Sequence, residues 1–290
     1  MSNPWGKPRF LVLLTALYLV WSIVPILVAI RFSFNEGRSR STGQGWSLRW
    51  YTGDPDLSVL HDPTLSTALV QSMRLAAIAV LVTVPLGVAL AIGLTRWRGR
   101  GAGISRGVSL ATLVTPEIVM GTALFLVFVH LLRFIPLGTF AQAVGHITFS
   151  LVFVVLIVRG RLLAIGPEYE EAARDLGASR LQALRLALLP MLVPAIVASA
   201  IIVFAISMDD FVISQFLSSG TGTDTVPVRI YATGRTAPTP AVNALATLTL
   251  GFTLVVTIVG FVLWRLVRSK RGGTGSAMQE FATLDAETVR

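Results

Sequence analysis

The apolar residues of this chain come in blocks close to twenty residues long, and that length limits the fold more than any other feature. A helix rises 1.5 Å per residue, so about 20 apolar residues match the ~30 Å hydrocarbon core of a bilayer. Six such blocks run through residues 10–30, 66–95, 109–132, 139–158, 191–217 and 241–267. They predict an all-α integral membrane protein of six transmembrane helices. Only 13% of the 290 residues are charged, against about a quarter in ordinary soluble chains.

The flanks of the blocks set an orientation. The first block exceeds the 7–15-residue core of a signal peptide, and Val-Ala-Ile-Arg is a poor cleavage site, so residues 1–9 are expected as a cytoplasmic N-terminus. With six spans both termini share one side. That side carries Lys7, Arg9, Arg96, Arg98, Arg100, Arg106, Arg159, Arg161, Arg174, Arg180, Arg185, Arg265, Arg268, Lys270, Arg271 and Arg290. The other side carries Arg31, Arg38, Arg40, Arg49, Arg133, Arg229 and Arg235, with Arg74 inside the second block near its outer end, where it can snorkel. The excess of basic residues marks the cytoplasmic side. The net charge of +9 therefore reports membrane orientation and not nucleic acid. Trp46, Trp50 and Tyr51, in the outer segment 31–65, are expected at the membrane interface, and 271–290 as a disordered cytoplasmic tail. The chain has no cysteine and three scattered histidines, His61, His130 and His146, a poor basis for a metal site.

One polar stretch interrupts the C-terminal half, from Pro167 to Pro190. Pro167 suits a first helical position, and Glu168, Glu170 and Glu171 suit the positive end of the helix dipole. Tyr169, Ala172, Ala173 and Leu176 recur at i, i+3, i+4 and i+7, one helical face. Gly177 is placed as a C-cap, and Ala178 to Leu189 reads as a second short helix before Pro190 opens the next segment. The prediction is a helix–turn–helix outside the membrane. Glu171-Ala172-Ala173, three residues, Gly177, nine residues, then Ala187-Leu188-Leu189-Pro190 resembles the EAA loop of permease subunits in binding-protein-dependent ABC importers. That family usually has Ile where this chain has Ala187. The resemblance implies a MetI-like, type I importer permease spanning 10–270, in which loop 166–189 is a coupling helix docking on a cytoplasmic ATPase. It assigns Glu168, Glu171, Ala172, Ala173, Asp175, Gly177, Leu189 and Pro190 to that contact.

Three acids lie at lipid depth: Glu117, Asp209 and Asp210. Each costs about 2.5–3.5 kcal/mol to insert and therefore faces protein or water. Pro116 frees a backbone carbonyl beside Glu117. On one helix Asp209 and Asp210 point about 100° apart, so one can line a pathway while the other bonds to a neighbour. Acids and carbonyls suit a cationic solute, although bracing a subunit interface would place the same residues there. His146 is read as a hydrogen-bonding residue in helix packing. Thr115 to Met120, His146 to Phe149, Glu171 to Ser179, Ser207 to Val212 and Val242 to Thr247 resemble the polyamine (spermidine/putrescine) branch of these permeases, specifically its second permease subunit. The resemblance covers about Arg49 to Arg268. It implies an importer of spermidine- or putrescine-like cations at the cytoplasmic (inner) membrane, with Asp209, Asp210, Glu117 and Asn243 along the path. The implied partners are a second permease in a heterodimer, two ATPase subunits and a periplasmic or lipoprotein substrate-binding protein.

Catalysis is not expected in this chain. It contains no Gly-x-x-x-x-Gly-Lys-Ser/Thr loop, so ATP and Mg belong to the partner ATPase, and no cofactor or metal is expected here. Relatives of this kind carry other small solutes, so an opine-like or other organic solute is the alternative within the class. An ATP-independent channel or secondary transporter is the rival from another class, opposed by the coupling loop and by the lack of an evident inverted repeat.

Overall fold

In a computed structural model, residues 9–39, 42–96, 99, 107, 114–236 and 239–269 are described, and every described span is helical. In chain order they are α1 (Arg9–Ser33), α2 (Pro63–Arg96), α3 (Glu117–Leu131), α4 (Thr139–Ile165), α5 (Glu168–Asp175), α6 (Arg180–Asp209), α7 (Val212–Leu217), α8 (Val226–Thr236) and α9 (Pro240–Ser269). Helices satisfy every backbone group within the segment, which lipid demands. Five of them are long and apolar enough to cross a membrane, and α3 is a shorter apolar helix. The expected third span was to begin at 109. Residues 108–113 lie outside the described residues, as do 1–8, most of the basic loop with Arg98, Arg100 and Arg106, and the 270–290 tail.

The chain divides into two compact units. The first comprises Met1–Gln71 and Thr221–Gly251. Trp50, Val59, Leu65, Ala68, Val226, Ala241, Ala244 and Leu245 form its core. Asp62 caps α2, its Oδ1 accepting from the backbone N–H of Thr64 at 2.7 Å. One expectation fails here. Trp50 is fully buried and is not an interfacial anchor, and its indole N–H donates to the Asn35 carbonyl at 2.5 Å. An indole inside protein needs such an acceptor. Trp46 is 70% exposed, with the Arg31 guanidinium 3.9 Å above its ring.

The second unit comprises Ser72–Gly220 and Phe252–Arg290. Ala79, Val84, Val88, Ala91 and Leu94 of α2 pack with Val154, Val155, Val158, Leu162 and Ile165 of α4 and with Leu188, Leu192, Ala195 and Val203 of α6. A smaller cluster joins Phe128 of α3, Ala141 of α4, and Ile213 and Leu217 of α7.

The fourth span was expected to end at 158 and runs to Ile165, and two boundaries of α6 also differ from expectation. The polar stretch does form α5, ended by Gly177 at φ +89°, and Ser179 and Gln182 then make a reciprocal capping box. From Arg180, however, the helix runs unbroken into the span, and Pro190 opens no separate segment. A wide π turn over Ala183–Leu188 precedes it. A proline ring collides with the carbonyl four residues earlier, and widening the turn there relieves the collision. At the far end the helix stops at Asp209, and Asp210 is extended with ψ 117°. The apolar block 191–217 is therefore two helices, because Asp210 turns its side chain back to bond the first turn of α7.

Candidate functional site

Gln142 and His146 sit one turn apart on α4, so both side chains face the same neighbour, the break between α6 and α7. The Gln142 amide donates to the Ser214 carbonyl at 3.0 Å. His146 Nδ1 meets Ser207 Oγ at 2.7 Å, and its Nε2 lies 3.0 Å from Ser214 Oγ and 3.2 Å from Asp210 Oδ2. Asp210 Oδ2 accepts from the Ser214 backbone N–H at 2.8 Å and from the Ser214 hydroxyl at 2.7 Å. Its Oδ1 is buried without a hydrogen-bond partner. A buried carboxylate persists only with such donors around it. The close fit of α4 against α7 depends on Gly145, where a Cβ would lie 2.5 Å from Ile213 Cγ2.

Glu117, the first residue of α3, is half-buried and in electrostatic contact with Asp210 and, more weakly, with Asp209. Asp209, the last helical residue of α6, is exposed and makes no hydrogen bond or ion pair among the described residues. Thus the structure gathers Glu117, Asp209 and Asp210 in one unit. Asn243 lies in the other unit, half-buried on α9, its carbonyl accepting from the Thr247 hydroxyl at 2.8 Å. What sequence reasoning missed is the set of polar residues around Asp210, namely Ser207, Ser214 and Gln142. Their only signal was polarity inside apolar blocks. Among the described residues no group of three or more His, Asp or Glu side chains could hold a metal ion.

At the opposite end of α6 lies the polar stretch. Glu168, Glu171, Ala172, Asp175 and Gly177 are exposed and Ala173 half-buried, while Leu189 and Pro190 are half-buried within α6. Among the described residues the apolar face read from the spacing is largely uncovered, with Tyr169 55% and Leu176 90% exposed. Beside it a cleft of about 490 Å³ is lined by Glu171, Arg174, Asp175, Ala178, Ser179 and Arg180. Glu170 is ion-paired with Arg96 at the end of α2. An uncovered apolar face with a charged rim is suited to docking another protein.

A family model described as binding-protein-dependent transport system inner membrane component matches residues 83–271. Over 272 residues the chain is 34% identical to the putrescine transport system permease protein PotI of Escherichia coli (strain K12), covering 92% of each. It is also 34% identical over 262 residues to the spermidine/putrescine transport system permease protein PotC of the same strain, covering 90% of this chain and 95% of that protein. Among solved structures, a chain of a bacterial ABC transporter involved in the import of the acidic polysaccharide alginate superposes with a TM-score of 0.70. It is 15% identical, over 89% of this chain and 94% of that one, a likeness of fold.

Proposed function

The chain belongs to the family of binding-protein-dependent transport system inner membrane components, a membrane-embedded transport subunit and not an enzyme, and from that premise we propose that it is a permease of an ATP-driven ABC importer for spermidine- or putrescine-like cations. The observation that carries the substrate class is the acidic site at the broken end of α6. Asp209 is an exposed carboxylate there, and Glu117 places a second carboxyl group beside the aspartates. The last carbonyls of a helix that stops at Asp209 have no intrahelical donors, and the negative end of its dipole favours a cation. A broken helix whose C-terminal end meets carboxylates at bilayer depth is a recurrent way to bind cations in transporters. Relatives named for putrescine and spermidine transport support the same reading.

In this reading the exposed face of Tyr169 and Leu176 docks on one of two cytoplasmic ATPase subunits, which hold the ATP and Mg. A second permease completes the translocation path, and an external binding protein delivers the solute. Both termini lie in the cytoplasm. As the solute sheds water, the carboxylates replace part of its hydration, and binding stays weak enough for release.

The deciding experiment is ATPase activity of the complete complex in lipid, with binding protein, in the presence of spermidine, putrescine, a neutral solute and an anionic solute. Stimulation confined to the polyamines is expected. Stimulation by another solute alone would overturn the substrate, and no stimulation together with no co-purifying ATPase would overturn the importer reading.

A further inference from the structure

The neighbouring aspartates stand in opposite environments. Asp209 is exposed and unbonded, whereas the Asp210 side chain is 3% exposed. One Asp210 oxygen is surrounded by donors, and the other is buried and closed to solvent. Counting protons fixes how. Ser214 has one hydroxyl hydrogen, and it goes to Asp210 Oδ2. Ser214 Oγ must then accept in its contact with His146 Nε2, so Nε2 carries a proton. That N–H also points within 3.2 Å of Asp210 Oδ2. His146 is in turn oriented from behind by Ser207, across its Nδ1.

We propose that His146 is the positioning residue of the site. It clamps Asp210 as the brace of the helix break, and this leaves Asp209, with Glu117, as the carboxylates that meet the cation. The assignment rests on the polyamine reading above. The brace joins three helices: α4 through His146 and Gln142, α6 through Ser207, and α7 through Ser214. Such a brace fixes the direction in which Asp209 leaves the last turn of α6. The titratable groups facing Asp210 are His146 from α4 and Glu117 from α3, with Asp209 next to it on α6. Asp209 is exposed and Glu117 half-buried, whereas Asp210 is closed off, so the first two are the carboxylates a solute can reach.

The test is spermidine uptake by the complete complex in lipid vesicles, comparing wild type with Asp209→Asn, Asp210→Asn, His146→Ala and His146→Gln, with the thermal midpoint of each purified complex. Asp209→Asn is expected to raise KM about tenfold at an unchanged midpoint. Asp210→Asn keeps an acceptor for Ser214 and is expected to hold KM within about twofold while lowering the midpoint. His146→Ala is expected to lower kcat and the midpoint but not to change KM. His146→Gln, whose amide can still donate to Ser214, should restore both. Should Asp210→Asn fail to assemble, Ser214→Ala removes one donor and keeps the charge, with a lower midpoint and unchanged KM expected. Equal rises in KM at positions 209 and 210, or from Ser214→Ala at an unchanged midpoint, overturn the division of roles. A His146→Ala protein whose KM rises as in Asp209→Asn overturns the positioning role. A wild-type complex that takes up no polyamine overturns the proposed substrate, and the division of roles with it.

Discussion

A Cβ placed on Gly145 would lie 2.5 Å from Ile213 Cγ2 and 2.9 Å from Leu217 Cδ1, so α4 and α7 touch at a point where only hydrogen fits. Gly145→Ala is therefore expected to destabilise the complex by about 1–3 kcal/mol, the range for overpacking. Gly93→Ala is the control, since a Cβ there meets nothing within 4 Å. It should be neutral or stabilise by up to about 1 kcal/mol through helix propensity. Thermal unfolding of the two variants in detergent decides between them, and equal midpoints would show that α7 gives way freely.

In the polar stretch after α5, Gly177 holds φ +89° with open space around it. The strain of a substitution is thus purely conformational. Gly177→Val should cost about 1–2 kcal/mol locally and misdirect the step from α5 into α6, reducing solute-stimulated ATPase activity. Gly177→Asn, whose side chain tolerates the left-handed region, should retain most of it. Assaying both in the assembled complex checks the prediction, and matching losses would assign the effect to something other than backbone conformation.

Leu176 is 90% exposed, so replacing it removes little packing among the described residues. Leu176→Ser is expected to leave the stability within about 0.5 kcal/mol of wild type, as surface substitutions do. Co-purification of the ATPase subunit should nevertheless fall. Retention of the ATPase at wild-type stoichiometry would mean that this face docks nothing.

In the first unit, Asp54 is held below its ordinary value of 3.8, chiefly by the Leu57 backbone N–H, then by Arg49 and the Asp56 N–H. The Arg49 guanidinium reaches Asp54 Oδ2 through Nε at 2.9 Å and through a terminal nitrogen at 2.8 Å. A depressed carboxylate contributes stability that is complete above its unfolded value and is lost as pH falls through the lower folded one. Hydrogen exchange across residues 49–62 should therefore quicken in wild type only below the usual carboxylate range. Asp54→Asn should exchange fast already at neutral pH and change little in acid. Parallel acid limbs in the two proteins would remove Asp54 from the account.

Much of this was legible in the chain because lipid simplifies the code. Block length alone gave α1, α2, α4 and α9, and the charge of Glu117 and Asp209 inside apolar sequence marked them without any partner in view. The end of α6 was hidden for the same reason. Phe211 and Val212 continue the apolar run, and nothing local says that Asp210 will turn toward Ser214. The same serine is also met by a histidine 68 residues away, a contact that exists only once α4 has packed. Trp50 misled in a related way, since an aromatic residue beside a span suits an interface or a small core equally, and only the Asn35 carbonyl decides. Pro190 looked like punctuation because the π turn that accommodates it leaves no trace in residue type.

That accommodated proline has a mechanical result. The thirty residues of α6 form one rod, about 45 Å long at 1.5 Å per residue. Arg180, beside the charged cleft, stands at one end and Asp209 at the other. A joint at Pro190 would have let the two ends move independently. With no joint at Pro190, a displacement of one end would reach the other as a shift or roll of the acid itself. The wide turn at Ala183–Leu188 lies close to the Arg180 end, where it can absorb a change of angle while leaving the rest of the rod intact.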